Sequence, residues 1–453
     1  MGERRGDVVA LGAIVGGAFA GRVIYVLAVT RHKALMLDEF YYASVASRVA
    51  DGKGFTSRGF YYGAPGSPLA DHPPLTSVVL APWVRLAGYG HFGLARCAMA
   101  ALGALTVLLV GLIGREVAGR RVGLIAAGIA AVYPNLWVND GLLMSETVAA
   151  LATALTLWLA YRLRRSPSVG MAILAGAAAA LAGLARVELV LLLPLLVLPV
   201  VLSRRDRSGP DRLRMAGAAT AAGLLTLVPW VAYNLQRFER PVLLSADGGT
   251  LLGANCDDTY YGPRLGFWNG LCALPPPGSG ADASVHSERM RRTALEYIGD
   301  HKGRLPVVVA ARLGRTWGVF RPFDPVEWNA FDGRPRWISL AQVWSFWLVA
   351  GFAIAGTVLL RRRGQPVWLL LAPVLAVTVA TITVYGRERF RVPAEVPLVV
   401  LAAVAVDQLV GGLMVRRSRS LGRQVPVEPA PESQLASPTV ARTIPPGPPD
   451  QNG

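Results

Sequence analysis

Charged side chains are scarce in this chain, and that scarcity limits the classes of protein to which it can belong. They make up 17% of the 453 residues, whereas hydrophobic residues make up 53% and the mean hydropathy is +0.41. A soluble protein of this length has about 25% charged residues and apolar faces that alternate with polar ones. Long apolar runs recur along the whole chain instead, so the sequence predicts a membrane protein that crosses the bilayer several times.

Lysine is nearly absent, since the chain contains only Lys33, Lys53 and Lys302. The formal net charge of +17 therefore comes almost entirely from arginine, and many arginines lie in short clusters between apolar segments. Membrane proteins concentrate such clusters on the cytoplasmic side of the bilayer. This distribution excludes nucleic acid as a partner, because binding along a phosphate backbone needs a basic stripe on one face.

The apolar runs predict an all-α polytopic protein with ten transmembrane helices. The predicted spans are 8–29, 91–114, 121–138, 142–161, 169–185, 187–202, 213–233, 339–360, 366–385 and 393–413. The first run is too long for a signal-peptide core, so we expect it to be retained as a span. With ten alternating spans, every short arginine cluster lies on one side, which we interpret as the cytoplasm.

This topology divides the chain into a cytoplasmic N-terminus at 1–7, a transmembrane domain at 8–413 and a cytoplasmic tail at 414–453. The tail is rich in Pro, Ser and Gln and is predicted to be disordered. We expect a multi-pass protein of the plasma membrane, with both termini in the cytoplasm and two long loops, 30–90 and 234–338, outside. Four helices too short to span the bilayer are predicted in these loops, namely Phe40–Val49, Thr76–Leu86, Ser287–Tyr297 and Val307–Val319.

Cysteine is also rare, with three residues in the chain. Cys97 lies in an apolar run, where it is expected to pack as a small hydrophobic residue. Cys256 and Cys272 flank an aromatic, glycine-rich segment of the second outer loop, on the oxidising side of the membrane, and are predicted to form a disulfide. Closing a loop of about 15 residues stabilises the fold by roughly 3 kcal/mol. The loop is interpreted either as a lid or acceptor platform or as a simple structural brace.

Two acidic residues follow the first span directly, in the segment Leu37-Asp38-Glu39 before the tyrosines at 41 and 42. Carboxylates in such an apolar and aromatic setting are costly unless they are used, because desolvation opposes their charge. They are candidate catalytic groups, and the alternative is an ordinary helix start with acids in its first turn. The proline-locked turn Asp71-His72-Pro73-Pro74 presents an imidazole, which a plain helix start leaves unexplained.

Further charged residues lie at the same predicted membrane face. Asp140 and Glu146 lie at the outer end of the third and fourth spans, and an acid inside a span is a functional candidate by default. Arg186 lies in another outer turn. Arg387, Arg389 and Arg391 precede the last span, against the cytoplasmic preference of arginine. They are interpreted as a binding site for an anion, with snorkelling to lipid headgroups as the alternative.

The order of these motifs resembles the GT-C glycosyltransferases, most closely the protein O-mannosyltransferase and aminoarabinose-transferase type (glycosyltransferase family 39). The resemblance rests on the segments at 37–39, 72–75, 139–146 and 389–393 and covers residues 8–410. It implies a GT-C bundle and a sugar donor carried on a polyprenyl monophosphate. It further implies an extracytoplasmic acceptor (a glycan, lipid or protein) and transfer with inversion.

The resemblance also assigns roles to the candidate residues. Asp38 is expected to be the general base, and Glu39 and Glu146 the acids that orient the acceptor or the sugar. The residues expected to bind substrate are Tyr42, His72, Asp140, Arg186, Arg387, Arg389 and Arg391, with Arg186, Arg389 and Arg391 neutralising the lipid phosphate. A divalent metal held by His72 and nearby acids is left open. The alternatives are a flippase for lipid-linked glycans and a polymerase or ligase with a diphosphate donor.

Overall fold

The computed structural model describes residues 2–59, 64–274 and 282–420, and over these ranges its regular secondary structure is helical. The α-helices are α1 Gly2–Tyr25, α2 Asp38–Ala50, α3 Leu75–Ala87, α4 Gly93–Ala118, α5 Arg120–Val132, α6 Pro134–Trp137, α7 Ser145–Arg165, α8 Val169–Ala185, α9 Leu198–Leu202, α10 Gly209–Leu235, α11 Gly248–Gly253, α12 Asp257–Tyr260, α13 Ala283–Asp300, α14 Leu305–Thr316, α15 Asp324–Phe331, α16 Arg336–Arg362, α17 Trp368–Thr383 and α18 Val392–Ser420. Within the described ranges, extended backbone pairs only at an isolated bridge between Thr56 and Pro68.

Short 3₁₀ and π turns join or extend these helices. The 3₁₀ turns are Val138–Gly141, Val187–Leu191, Gly270–Ala273, Lys302–Arg304 and Glu388–Arg391, and the π turns are Val26–Thr30 and Leu193–Val197. Short 3₁₀ turns are common connectors between helices. Two of them lie at the predicted arginine positions, since Val187–Leu191 follows Arg186 directly and Glu388–Arg391 contains Arg389 and Arg391.

The polytopic membrane fold is confirmed, but the count of ten full spans is not. Five helices in the described part of the chain are long and apolar enough to cross a bilayer, or six if a pair bent by 58° forms one span. The five are Gly6–Thr30, Gly93–Ala118, Gly209–Leu235, Arg336–Arg362 and Glu388–Gly412, and the bent pair is Arg120–Val132 with Pro134–Gly141. Helical segments do occupy all ten predicted positions, but several are shorter or more polar than a lipid-facing span requires.

The helix α7 shows why apolarity alone gives a different count. It has 21 residues, but Glu146 and three threonines interrupt its apolar sequence, and most of its side chains are buried in the protein. A helix surrounded by other helices does not need a side chain that favours lipid at every position. Polar residues on such a helix are therefore available for function.

The four short helices predicted in the two long loops are present with shifted ends, as α2, α3, α13 and α14. The helix α3 begins directly after Pro73 and Pro74, as expected for a helix that follows a proline-fixed turn. The helix α2 begins at Asp38 because Leu37 takes a positive φ of 43° and turns the chain sharply. The structure thus places the acid of the first loop at the first position of a helix.

The described residues up to Gln408 form one compact unit, and those from Leu409 to Ser420 belong to a second. All the candidate site residues lie in the first unit. Of the second, the structure describes the chain to Ser420, where α18 ends. The rest of the tail, which the sequence predicts to be disordered, lies outside the described residues.

Candidate active site

Asp38 belongs to a cluster of ionisable groups drawn from five separate segments. Its Oδ2 accepts a hydrogen bond of 2.5 Å from Nη2 of Arg389, and its Oδ1 lies 3.9 Å from Nε2 of His72. The carboxylate is 23% exposed, so it remains reachable. Burial opposes its charge, but the neighbouring Arg389 and His72 hold the pKa of Asp38 well below its usual value. The group is therefore ionised at neutral pH.

The imidazole of His72 is held against two tyrosines of α2. Its ring centroid lies 4.7 Å from that of Tyr41 and 5.1 Å from that of Tyr42. The backbone N–H of His72 donates to the hydroxyl of Tyr41 at 3.3 Å. These contacts fix the turn before α3, so that the imidazole faces Asp38 across the start of α2.

Arg389 lies between two carboxylates. In addition to its bond with Asp38, its Nε lies 3.6 Å from Oε1 of Glu146, an ion pair too long for a hydrogen bond. The side chain is 8% exposed, and its Nε and Nη1 have no hydrogen-bond acceptor among the described residues. A buried guanidinium with unused N–H groups is a ready binding group for an anion.

Glu146 and Arg186 complete the cluster. Glu146 lies in the first turn of α7 and is 1% exposed, and neither of its oxygens accepts a hydrogen bond within the described part of the chain. Arg186 Nη1 lies 3.8 Å from Glu146 Oε1, and Arg186 Nε donates to Glu188 at 2.6 Å. The guanidinium of Arg186 lies 4.6 Å from the ring centroid of Phe390. We call Asp38, His72, Glu146, Arg186 and Arg389 the Asp38 cluster.

Glu39 was predicted to act beside Asp38, but the structure separates the two carboxylates. Glu39 is fully buried and lies 3.3 Å from Nη2 of Arg96, and it accepts a hydrogen bond of 3.0 Å from the backbone N–H of Leu143. Burial raises the pKa of Glu39 above its usual value. Its contacts are those of a group that anchors α2 to α4 and to the segment before α7, so the geometry favours a structural role for it.

Asp140 also lies apart from the cluster. Its Oδ2 accepts a 2.6 Å hydrogen bond from Nε of Arg22, and its Oδ1 accepts one of 2.8 Å from the hydroxyl of Thr147. Gly103 of α4 leaves room for this carboxylate, because a Cβ at that position would lie 1.9 Å from Asp140 Oδ2. With both oxygens satisfied inside the protein, Asp140 has the contacts of a buried structural ion pair rather than of a substrate ligand.

The three arginines before α18 take three different partners. Arg387 donates to Asp332, whereas Arg391 Nε donates to Glu395 at 2.5 Å and its Nη1 to the carbonyl of Thr316 at 3.0 Å. Of the three, only Arg389 bonds Asp38. Of the three arginines predicted to neutralise the lipid phosphate, Arg186 and Arg389 approach the same carboxylate, that of Glu146, whereas Arg391 pairs with Glu395.

Tyr42, which the sequence analysis predicts to bind substrate, is buried beside Asp38. Its hydroxyl interacts with Ser145, and burial raises the pKa of Tyr42 above its usual value. Sequence analysis did not single out Ser145, or Phe390, whose ring lies within 6 Å of both Arg186 and Arg389. An aromatic residue placed between two arginines was the available signal for Phe390.

Cys256 and Cys272 form a disulfide, with their Cα atoms 6.5 Å apart. The enclosed loop reaches the arginine-bearing turn through aromatic contacts. The ring of Trp268 stacks on Tyr385 at 6.3 Å between centroids, and Tyr385 in turn lies 4.7 Å from Phe390. The backbone N–H of Gly386 donates to the carbonyl of Gly266. The braced loop therefore supports the turn that presents Arg389.

The arrangement offers little to a metal ion. Within the described residues, no group of three or more His, Cys, Asp and Glu side chains is placed to hold one. Asp38 and His72 lie close together, but both oxygens of Asp38 face cationic or potentially cationic groups. A divalent ion at that position would be repelled by Arg389. The residues of the cluster therefore do not fit a resident metal.

Comparison with known proteins matches a segment of the sequence to one family model. Residues 71–233 match the family model described as dolichyl-phosphate-mannose-protein mannosyltransferase. This segment holds His72, Asp140, Glu146 and Arg186 but ends before the turn of Arg389, and it covers less than half of the chain. No curated protein sequence matches the chain significantly.

Solved structures match almost the whole chain. The archaeal oligosaccharyltransferase AglB from Archaeoglobus fulgidus, in complex with an inhibitory peptide and a dolichol-phosphate, aligns with a TM-score of 0.58 at 14% identity, over 93% of this chain and 52% of that one. The Archaeoglobus fulgidus oligosaccharyltransferase with Zn and sulfate gives 0.54 at 15% identity, over 90% and 50%. ArnT from Cupriavidus metallidurans bound to undecaprenyl phosphate gives 0.42 at 17% identity, over 93% and 81%, a score too low to support an argument.

The chain thus spans about half the length of the oligosaccharyltransferase that it matches. At such identities the likeness establishes the fold alone, which is that of a polytopic membrane protein. The resemblance to the GT-C glycosyltransferases is therefore confirmed, by the matched segment in the sequence and by the fold in the structure.

Proposed function

We propose, from this confirmed resemblance, that the protein is a membrane glycosyltransferase whose donor is a sugar linked to a polyprenyl monophosphate. The observation that supports it most directly is the Asp38 cluster, in which an ionised and partly exposed carboxylate lies beside the guanidinium of Arg389, two nitrogens of which have no acceptor among the described residues. Inverting glycosyl transfer needs a base on one side of the reacting carbon and a stabilised leaving group on the other.

The proposed reaction is a single displacement. The oxygen of the acceptor hydroxyl attacks the anomeric carbon of the donor sugar, and its proton passes to Oδ1 of Asp38, the oxygen not bonded to Arg389. The bond between the anomeric carbon and the phosphate oxygen breaks, and its electron pair stays on the phosphate. The anomeric configuration is inverted because attack and departure occur on opposite faces.

Arg186 and Arg389 are proposed to neutralise the phosphate. They approach the same carboxylate, Glu146, from two sides at 3.8 and 3.6 Å, so their guanidinium groups are neighbours. Glu146 is proposed to bind a hydroxyl of the sugar or acceptor, because a buried carboxylate without a hydrogen bond is costly until a donor reaches it. Tyr42 and His72 pack against each other beside Asp38, and they are proposed to contact the substrate.

The dolichol-phosphate named with the oligosaccharyltransferase structure supports a polyprenyl phosphate ligand for a protein of this fold. An acceptor peptide is named with another structure of the same oligosaccharyltransferase. For this chain we propose an extracytoplasmic acceptor that is a glycan, a lipid or a protein. We further propose a plasma-membrane location with the Asp38 cluster on the extracytoplasmic side and both termini in the cytoplasm, because the arginine clusters of the short loops then face the cytoplasm.

The test is donor turnover by purified protein in lipid nanodiscs, supplied with a membrane extract as the source of acceptor. Radiolabelled sugars on polyprenyl monophosphate and on polyprenyl diphosphate are compared, and transfer of label is measured. The wild type is expected to transfer sugar from the monophosphate, and the variant Asp38→Asn is expected to lose this transfer. Asp51→Asn, at the opposite end of α2, is the matched control and is expected to behave as the wild type.

Turnover only with the diphosphate would instead identify a polymerase or ligase. Movement of the intact lipid-linked sugar across the membrane of a reconstituted vesicle, without transfer, would identify a flippase. Either result contradicts the proposal.

A further inference from the structure

Among the described residues, three carboxylates at the Asp38 cluster contact only two arginines, Arg186 and Arg389. Arg186 and Arg389 are shared among the carboxylates of Asp38, Glu146 and Glu188, all within 4 Å of one or the other guanidinium. A phosphate that enters this space adds a further negative charge. To bind Arg389 through two parallel hydrogen bonds, it must take the Nη2 contact that Asp38 now has, in addition to one of the unused N–H groups.

Of the two arginines, Arg389 is the more readily shared. Arg186 is held by Glu188 at 2.6 Å, contacts the hydroxyl of Ser145 and packs on Phe390. Arg389 has one hydrogen bond, to Asp38, and two N–H groups without an acceptor among the described residues. An anion that binds these N–H groups competes with Asp38 for the same planar fork.

We infer that the donor phosphate and Asp38 compete for Arg389, so that donor binding releases Asp38 and makes it an effective base. The inference rests on the proposed function, since it assigns a regulatory step to the same site. An aspartate bonded to a guanidinium is a poor proton acceptor, because protonation would cost that bond. When Arg389 turns to the phosphate, the carboxylate regains its basicity, and the acceptor hydroxyl is deprotonated only once a donor is in place.

The other groups around Asp38 do not replace Arg389. The charged and titratable side chains that act on Asp38 or are acted on by it are Arg389, Arg387, His72, Tyr42 and Tyr385. Arg387 is engaged by Asp332. His72 lies 3.9 Å away, beyond hydrogen-bond distance, and the two tyrosines carry no positive charge. Arg389 is therefore the contact whose loss changes the basicity of Asp38 most.

The first test measures binding without turnover. Undecaprenyl phosphate, which carries no sugar, is titrated into nanodiscs that hold the wild type, Asp38→Asn or the distal control Asp51→Asn. Because the neutral amide competes less well for Arg389, Asp38→Asn is expected to bind the lipid phosphate more tightly, on the order of tenfold. Asp51→Asn is expected to match the wild type. Equal or weaker binding by Asp38→Asn, with the control unchanged, would overturn the inference.

The second test needs only the wild type, so it holds even if Asp38→Asn does not fold. The acid limb of kcat/KM for the donor reports the free protein, and that of kcat reports the donor complex. Release of Asp38 predicts that the acid limb of kcat lies at higher pH than that of kcat/KM, by one unit or so for a tenfold change in affinity. Coincident limbs would overturn the inference.

These outcomes are distinct from failure of the proposed function. If no variant binds undecaprenyl phosphate and no donor is turned over, the proposed function itself is wrong, and the coupling falls with it. If the lipid phosphate binds and transfer occurs, but neither the tighter binding nor the shifted limb is seen, the function stands and only the coupling between donor and base is rejected.

Discussion

The buried pair of Arg22 and Asp140 allows a quantitative test of the structural role that the geometry gives to Asp140. Both side chains are 3% exposed, and the two are joined at 2.6 Å. Removing one partner of such a pair costs about 3–5 kcal/mol of stability, because the other charge stays buried without compensation. About 1.4 kcal/mol corresponds to a tenfold change in the unfolding equilibrium, so the expected change is roughly a hundredfold or more.

The two single variants are expected to differ. Asp140→Leu leaves a guanidinium that cannot lose its proton, held only by the backbone carbonyls of Ala18, Ala130 and Ala131. Arg22→Met leaves a carboxyl group that can become neutral and keeps its bond from Thr147. The loss is therefore expected to be larger for Asp140→Leu, and the double variant is expected to recover most of it, since apolar replacement of a buried pair is often neutral.

The assay is unfolding in detergent micelles, followed by far-UV circular dichroism as denaturant is added. The matched control is Asp7→Asn, which breaks the ion pair of Asp7 with Arg120 at 3.1 Å, where the side chains are 30% and 39% exposed. An exposed pair contributes at most about 1 kcal/mol. If Asp140→Leu were as stable as the control but failed to bind undecaprenyl phosphate, the structural assignment would be refuted and Asp140 would return to the binding site.

Four further outcomes are expected. Asp38→Asn lowers transfer by about 10²–10⁴-fold, the contribution of a general base, with an unchanged far-UV circular dichroism spectrum in the absence of denaturant as the check on folding. Because the folded-state pKa of Asp38 is below its usual value, its pair with Arg389 stabilises the fold above about pH 4, and this contribution falls as the pH is lowered further. Acid unfolding of the wild type and of Asp38→Asn measures this contribution. Replacing Cys256 and Cys272 by serine lowers the unfolding free energy by roughly 3 kcal/mol, measured in denaturant. Gly386→Ala places a Cβ 2.1 Å from the backbone carbonyl oxygen of Arg312, so the turn that carries Arg389 is expected to shift and lipid-phosphate binding to weaken. Wild-type affinity in this variant would contradict the role of the braced loop in supporting that turn.

Much of the site followed from the order of residues along the chain. Apolar runs determine where helices form in a membrane, and polar residues at their ends are confined to one or the other face. Asp38, His72, Glu146, Arg186 and Arg389 were all singled out in this way, and the structure brings these five together. The disulfide likewise followed from two cysteines in one outer loop.

The count of spans did not follow from the same patterns. Apolarity measures the preference of a segment for lipid, and helices surrounded by protein are freed from that requirement. The helix α7 has the polar residues, including Glu146, that its buried position allows. The sequence therefore predicted the positions of the helical segments better than it predicted the number of full spans.

Tertiary structure alone decided which charge meets which. Neighbouring residues of a helix point about 100° apart, so Asp38 faces the cluster while Glu39 turns to Arg96. Alternate residues of the turn at 387–391 likewise take three different acids as partners. The sequence by itself determined the helices and the collection of charges at one end of them. The pairing of those charges depends on how distant segments pack together, and a local sequence pattern does not determine that packing.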